Sequence, residues 1–145
     1  MPDDELNIGL LLFIPYRALE NRVFQAIAEA GFDDLTITQA KLLQRIDPDG
    51  TRLTQLAASA QVTKQTAGFL VDQLERAGYV ERVPDPTDAR ARLIRLTPRA
   101  AAATPIGAKV IKEIESEWTT HLGPHRMTQL RETLTHLREI TDPYR

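Results

Sequence analysis

Two different periods of apolar and polar positions follow one another between Thr51 and Pro98, and they predict two short helices and then a hairpin of two strands. The first helix begins at Leu53-Thr54, where the Thr54 hydroxyl is placed to cap it. The small apolar face of this helix consists of Leu56, Ala57 and Ala60. Residues 60–62 form the turn that follows.

The second helix is predicted from Lys64 to Ala77, with Thr63 as its N-terminal cap. Gly78 stops the helix, because glycine takes the positive φ of this position without steric cost. The apolar side chains spaced for one buried face are Phe69, Leu70 and Leu74.

The next segment alternates as two strands joined by a turn. Tyr79–Val83 is the first strand, residues 85–88 (Asp-Pro-Thr-Asp) have turn chemistry, and Ala91–Leu96 alternates back. Two helices with a three-residue turn and an adjoining hairpin are the outline of a winged helix-turn-helix. We therefore predict a mainly α fold with a small β-hairpin wing (α+β).

The second helix of a helix-turn-helix enters the DNA major groove, so the exposed residues near its start are candidate DNA contacts. They are Thr63, Lys64, Gln65, Thr66 and Gly68, with Thr54 and Gln55 added from the first helix. A glutamine can bond adenine in two places, worth about 1–3 kcal/mol of base discrimination, whereas a lysine suits either guanine or a phosphate. The alternative is that these are ordinary polar residues on a solvated helix face.

Arginines recur in and just after the hairpin, at positions 90, 92, 95 and 99. Alternation places Arg90 and Arg92 on one face, with Arg90 nearest the tip, where an arginine suits a narrow minor groove. Asp88 is placed to hold that arginine by a forked, two-bond contact. Charged residues also protect edge strands from pairing, but arginine beside an aspartate favours a positioned contact.

The whole segment resembles the MarR family of bacterial transcriptional regulators. The resemblance is carried by LTQLAASAQVTKQTAGFLVDQLERAGYVERVPDPTDARARLIRLTP, above all by Leu74-Glu75, Gly78-Tyr79-Val80, Asp88-Ala89-Arg90 and Leu96-Thr97. It implies a homodimer that binds a pseudo-palindromic operator in double-stranded DNA. It further implies that affinity commonly falls when a small molecule occupies a cleft between the DNA-binding and dimerisation regions. By matching positions, Arg90 is the wing arginine, Asp88 its orienting aspartate and Thr63–Ala77 the recognition helix.

Two positions depart from the family pattern. Ala100 stands where the family usually has a glycine shortly after the Leu-Thr pair. Thr104-Pro105 interrupts what should be one long helix. Both departures concern the linker and leave the predicted DNA-binding unit intact.

Apolar stripes flank this unit on both sides, over residues 6–30, 106–122 and 127–140. Short loops leave little in one chain to cover them, so we expect the stripes to interleave with a second copy, forming a homodimer. Packing within one chain is the alternative. The predicted organisation is a single domain over 1–145, with the winged helix-turn-helix at 36–99 and dimerisation helices at 5–32 and 100–141.

The net charge of −2 is unevenly distributed along the chain. Residues 1–50 carry 4 basic and 9 acidic side chains (−5), residues 51–99 carry 8 and 5 (+3), and residues 100–145 carry 6 and 6 (0). Exposed charges act locally because salt screens them beyond about 8 Å. The positive excess therefore lies where DNA binding is expected.

The 145-residue chain contains no cysteine, which excludes disulfides, thiolate metal sites and cysteine-based peroxide sensing. Its acidic N-terminus does not resemble a secretory signal. The apolar run Leu10–Ile14 is far shorter than the roughly 20 residues that a membrane helix needs. We therefore expect a cytoplasmic protein with no membrane contact.

Pro15 falls within the first stripe, where it removes a helical hydrogen bond and should kink the helix. Phe13, Tyr16 and Arg17 lie beside it, and the family resemblance places this helix along the ligand cleft. Two aromatic rings and a guanidinium suit a small aromatic or phenolic acid as effector. The alternative is that Phe13 and Tyr16 belong to the dimer core and Arg17 to a surface ion pair.

An enzyme is not expected from these residues. His121 and His125 have the spacing of a zinc pair on a helix, but Gly123-Pro124 between them breaks the helix, so no metal site is predicted. The sequence has no phosphate loop or nucleophile motif, and no cofactor is predicted. The sequence predicts a DNA-binding transcriptional regulator, expected to be a repressor, and the alternative is a winged-helix module that binds another protein.

Overall fold

The computed structural model describes residues 5–143, and this part of the chain is mainly α-helical with one β-hairpin. In chain order its elements are α1 (Ile8–Glu29), α2 (Ile37–Leu43), α3 (Leu53–Ala60), α4 (Lys64–Arg76), β1 (Val80–Asp85), β2 (Asp88–Leu96), α5 (Pro98–Ala101), α6 (Thr104–Leu122) and α7 (Pro124–Thr141). The chain divides into two compact units: residues 23–107 form one, and the segments up to 22 and from 108 form the other. The predicted fold class is confirmed.

A continuous apolar core fills the unit of residues 23–107. Helices α2, α3 and α4 each bury apolar side chains in it, and the hairpin and α5 complete it. The largest fully buried side chains of this core are Leu42, Leu56, Val71, Leu74 and Tyr79. Each such side chain contributes about 1.5–3 kcal/mol relative to exposure, so helix packing holds the hairpin in place.

Thr51 joins the segment before α3 to the hairpin. Its N–H donates to the Ile94 carbonyl at 2.9 Å, and its carbonyl accepts from the Ile94 N–H at 2.8 Å. The Thr51 hydroxyl also accepts a bond from the Asp47 N–H at 2.9 Å. The start of α3 is therefore tied directly to β2.

Local chemistry fixes the turn between α3 and α4 and the end of α4. Gln61 takes the left-handed conformation (φ 57°) at the end of α3. The Thr63 hydroxyl caps α4 by accepting the Thr66 N–H at 3.0 Å, and Gly78 has φ 84° just past its end, both as predicted. Helix α4 ends at Arg76, one residue before the prediction.

Two predictions for this helix pair are wrong. Thr54 does not cap α3, because it lies inside the helix, which begins at Leu53. Arg52 is in the cap position and makes no side-chain cap bond. Phe69 is not in the core: 59% of its surface is exposed. The residues of α4 that are buried are Ala67, Leu70, Val71 and Leu74.

The strands of the hairpin are longer and the turn is shorter than predicted. β1 extends to Asp85 and β2 begins at Asp88, so the turn itself is only Pro86-Thr87. The register shifts between Pro84 and Asp85, as in a β-bulge. Tyr79 precedes β1, and its ring is fully buried.

Helix α2 is absent from the prediction. Its start is a capping box in which the Thr36 hydroxyl accepts the Gln39 N–H at 3.1 Å and the Gln39 side chain accepts the Thr36 N–H at 3.0 Å. The Thr-x-x-Gln pattern was the available signal. Only one residue of this short helix, Leu42, is fully buried, so its apolar stripe is too short to stand out in the sequence.

The second unit comprises the first part of α1, most of α6 and all of α7. Helix α1 continues through Pro15. Gly123 (φ 91°) separates α6 from α7, as predicted from Gly123-Pro124. The helix after the wing is also divided as predicted: the break lies at residues 102–103, and Thr104-Pro105 begins α6 just after it. Between residues 5 and 143, no helix is long and apolar enough to cross a membrane.

Candidate nucleic-acid interface

The outward face of α4 is defined by the helical period. Ala67, Leu70, Val71 and Leu74 face the core, and a rotation of about 100° per residue places residues 65, 69, 72 and 76 on the opposite side. The polar residues at the start of α4 that are exposed are Thr63, Lys64, Gln65 and Thr66, together with Thr54 and Gln55 on α3. The predicted contacts of the two helices are thus exposed, with Gly68 as the exception.

Gly68 is half-buried and faces α3. A Cβ atom added there would meet the Leu53 Cδ2 atom at 3.8 Å, which is an ordinary van der Waals distance. Packing within the chain therefore does not require a glycine at this position. Its role as a position of minimal bulk against DNA stays a prediction.

A groove lies between the start of α3, the start of α4 and β2. Its lining is Arg52, Leu53, Thr54, Lys64, Arg82, Ala91, Arg92 and Ile94. Four of these side chains are cationic. Arg52 and Arg82 are paired with carboxylates of the chain, so the exposed Lys64 and Arg92 are the two that favour an anion such as a phosphate. Lys64 and Arg92, predicted from separate elements, are brought together here.

Asp85 lies at the end of β1, next to the turn of the wing, with 6% of its surface exposed. Its Oδ1 atom accepts bonds from the Thr87 N–H at 2.8 Å and the Thr87 hydroxyl at 2.7 Å. Its Oδ2 atom accepts from Arg52 Nε at 2.8 Å, with Nη2 at 2.7 Å. The Thr87 bonds, followed by the Arg52 guanidinium, lower the pKa of Asp85 to about 2, so it is ionised at neutral pH.

Asp88 does not make the predicted forked contact with the Arg90 guanidinium. Its Oδ1 atom instead accepts the Arg90 backbone N–H at 3.0 Å, a short-range bond that fixes the turn. The guanidinium nearest to its other oxygen belongs to Arg52, at 4.0 Å. The two residues are close in sequence, but beside the tight two-residue turn the Arg90 side chain is exposed.

The other arginines near the hairpin are engaged within the chain. Arg82 donates to Asp72 at 2.7 Å and to Glu75 at 2.8 Å, and Arg95 pairs with Glu81 across the strands at 2.8 Å. Arg90 and Arg92 are exposed, and neither forms an ion pair with another of residues 5–143. These two are therefore the wing cations best placed to meet an external anion.

Arg99 belongs to a structural cluster away from the groove. Its guanidinium lies 4.2 Å from the Tyr79 ring centre, and its Nη2 atom donates to Asp34 at 3.0 Å. Asp34 also accepts a hydrogen bond from the Tyr79 hydroxyl. Burial, and then this bond to a carboxylate, raises the pKa of Tyr79 to about 12. Arg99 thus anchors α5 to the core.

Phe13, Tyr16 and Arg17 share one exposed face of α1. The Arg17 Cζ atom lies 5.3 Å from the centre of the Phe13 ring, and the Tyr16 hydroxyl donates to Glu20 at 2.7 Å. Phe13 and Tyr16 are 49% and 45% exposed. The structure therefore brings the three residues together, with a carboxylate beside them.

Two residues relevant to this surface are missing from the sequence prediction. Arg52 carries no local signal, because its partner Asp85 lies 33 positions away. Phe69 looked like a core residue because it is apolar and adjacent to Leu70. Across residues 5–143, no cluster of three His, Asp or Glu side chains could hold a metal ion.

Comparisons with known proteins agree with this architecture. The model of the MarR family matches residues 35–91. Transcriptional regulator HosA from Escherichia coli O111:H- is 36% identical over 85 residues, which cover 55% of this chain and 63% of HosA. The aligned part is therefore less than two thirds of that relative.

Solved structures extend the similarity to most of the chain. A crystal structure of MarR is 25% identical with a TM-score of 0.73, covering 92% of this chain and 96% of that one. The apo form of wild-type MarR from E. coli is 22% identical, with a TM-score of 0.71 and coverage of 91% and 97%. Transcriptional regulator Tm0710 from Thermotoga maritima is 23% identical, with a TM-score of 0.64 and coverage of 92% and 93%.

Proposed function

We propose that the chain is a transcriptional regulator of the MarR family that binds double-stranded DNA in a sequence-specific manner, since the model of that family matches residues 35–91. The observation that carries the proposal is the cationic groove between α3, α4 and the wing, which Lys64 and Arg92 line beside the exposed start of α4. A helix in the major groove and a wing along the backbone would place phosphates at this groove.

Each part of the surface has its own role in this proposal. Gln65 reads a base edge in the major groove, and Lys64 contacts a guanine or a phosphate. Arg90 enters the minor groove, Arg92 contacts the backbone, and Asp88 fixes the turn that presents Arg90. The remaining residues proposed to contact DNA are Thr54, Gln55, Thr63, Thr66 and Gly68.

We propose that the protein acts as a homodimer on a pseudo-palindromic operator. Apolar side chains on α1 are extensively exposed in the single chain, and α7 has no buried residue. We propose that a second copy of the chain covers these side chains. A two-fold axis between the copies would also place two recognition helices in successive major grooves about 34–36 Å apart. A dimer that covers an operator blocks access to the DNA, so we propose that the protein represses transcription.

The proposed effector site is the exposed face of α1 that carries Phe13, Tyr16 and Arg17. Two aromatic rings can stack on a planar ligand, and the guanidinium can pair with its carboxylate. A small aromatic or phenolic acid is the proposed class of ligand. Its binding would modulate or release the DNA complex.

Selection of binding sites from a randomised DNA pool tests the DNA proposal directly. We expect an enriched motif with two-fold symmetry, bound with an affinity that falls by about 0.9 log unit per log unit of salt for each phosphate contact. Failure to enrich any motif, with binding that does not depend on salt, would favour the alternative of a module that binds another protein.

A further inference from the structure

One large apolar side chain stands out on the unit of residues 23–107. Phe69 is 59% exposed, while the other strongly exposed apolar residues between positions 5 and 143 lie on α1, α6 and α7. It lies on α4 at the centre of the surface opposite the core. A single exposed ring is not unusual by itself, but Phe69 lies on the outward face of the helix that is proposed to enter the major groove, where it would meet the base edges.

The neighbours of Phe69 on this face match a DNA-binding surface. Gln65 is one turn before it and Arg76 is two turns after it on the same side of the helix. The acidic residues nearby are compensated, because Arg82 donates to both Asp72 and Glu75. The ring is therefore flanked by an amide and a cation on a helix whose carboxylates are already paired.

The chemistry of the major groove identifies the occupant. Base edges there present hydrogen-bond donors and acceptors and one apolar group, the C5-methyl group of thymine. We propose that Phe69 is a specificity-determining residue that packs against a thymine methyl group in each half-site. This inference rests on the proposed DNA-binding function and adds an apolar contact to the polar ones.

Helix geometry places this contact relative to that of Gln65. Four residues of helix rise about 6 Å, and base pairs are spaced about 3.4 Å apart. The thymine should therefore lie within about two base pairs of the base that Gln65 contacts, since about 6 Å is the most that this separation can span along the DNA axis. In a symmetric operator it should recur once in each half-site.

Replacement of thymine by deoxyuridine tests the proposal, because it removes the methyl group and leaves the pairing edge unchanged. The full-length protein is titrated against the operator obtained by selection, with each thymine replaced in turn. We expect one symmetry-related pair of positions at which each replacement lowers the affinity about fourfold, as for the loss of one buried methyl group. Phe69→Ala should bind the operator with equal affinity whether those positions carry thymine or deoxyuridine. Arg95→Ala, which removes a wing arginine that is paired with Glu81, should retain the fourfold difference.

The outcomes separate this inference from the function on which it rests. If the wild-type protein selects an operator but tolerates every replacement, the thymine contact is wrong and the DNA-binding function stands. An equal loss for wild type and Phe69→Ala also overturns it, as does loss of the difference in Arg95→Ala. If the wild-type protein selects no operator, the proposed function itself fails. Unchanged sedimentation and helicity of Phe69→Ala are expected, because the ring is outside the core.

Discussion

Arg52 holds Asp85 across 33 residues of sequence: its Nε and Nη2 atoms lie 2.8 and 2.7 Å from the same carboxylate oxygen. Arg52 immediately precedes α3, and Asp85 ends the first strand of the wing. This pair therefore links the helix-turn-helix to the wing at the place where the cationic groove begins. It leaves the wing cations Arg90 and Arg92 exposed to solvent.

The first prediction concerns the pH dependence of stability. The pKa of Asp85 is about 2 in the folded chain, against about 3.9 for an ordinary aspartate. The ionised Asp85 carboxylate contributes to the free energy of unfolding above about pH 4. This contribution is lost as the pH falls towards 2, because the unfolded chain binds the proton more readily. Asp85→Asn should lower the free energy of unfolding at pH 7 and weaken its decline between pH 5 and 3, measured by urea unfolding.

Asp49→Asn is the matched control for that measurement. Asp49 is exposed in the loop after α2, so this variant should retain the wild-type dependence on pH. If Asp85→Asn and the wild type decline in parallel between pH 5 and 3, the role assigned to the Arg52–Asp85 pair is wrong.

The second prediction compares two arginines of the same strand. Arg90 is exposed near the turn, whereas Arg95 is paired with Glu81. Arg90→Ala should lower operator affinity. If Arg90 contacts one phosphate while it lies in the minor groove of DNA, the slope of log affinity against log salt concentration should also fall by about 0.9. Arg95→Ala should leave both nearly unchanged. Gel-shift titrations at two salt concentrations measure the difference, and equal behaviour of the two variants contradicts it.

The third prediction concerns base recognition by Gln65. Its side chain lies on the outward face of α4, one turn before Phe69. Gln65→Ala should lose about 1–3 kcal/mol of discrimination at one base pair of each half-site, with a smaller effect on overall affinity. A repeated site selection with the variant measures this preference. An unaltered motif would show that Gln65 does not read a base.

The fourth prediction tests the proposed dimer. Leu137 on α7 is 39% exposed in the single chain. Leu137→Glu would place a charge in the interface of both copies, forfeiting about 1.5–3 kcal/mol of apolar burial per protomer in addition to the cost of burying the charge. We expect the variant to sediment as a monomer and to lose operator affinity.

Thr128→Glu is the control for the dimer prediction, since Thr128 lies on the opposite face of α7 and is exposed. It should sediment as the wild type does. A wild-type protein that is monomeric at micromolar concentration would refute the homodimer without further variants.

The fifth prediction concerns the effector face of α1. Calorimetric titration with salicylate should give measurable binding to the wild type and weaker binding to Arg17→Ala, because the guanidinium is proposed to pair with the ligand carboxylate. Since Arg17 is exposed and contacts the Phe13 ring, the variant should remain folded. Binding that is unchanged in Arg17→Ala excludes the role proposed for this residue.

Short-range features could be predicted because their causes lie within a few residues. Thr63 caps the start of α4, because its hydroxyl accepts a bond from an N–H three residues away. Gly78 follows the end of α4 in a backbone conformation that suits glycine. Alternation over both strands indicated the hairpin, and Gly123-Pro124 indicated the break between α6 and α7. Such signals do not depend on what packs against the segment.

The composition of the buried face of α4 depended on tertiary contact. Phe69 and Ala67 are both compatible with an apolar stripe that includes Leu70 and Leu74, and hydrophobicity favours the larger side chain. The core lies against Ala67 and Val71 instead, which rotates Phe69 outward. Sequence periodicity could not decide this, because it does not show which side of the helix the neighbours occupy.

The sequence by itself determined the winged helix-turn-helix order, the N-terminal cap and the end of α4, and the basic character of residues 51–99. Only the tertiary structure decided which charges remain available: Arg82, Arg95 and Arg99 are paired within the chain, and Arg52 is joined to Asp85. The physical reason is that secondary structure follows from local torsions and hydrogen bonds, whereas an ion pair depends on the position of elements that are distant in sequence.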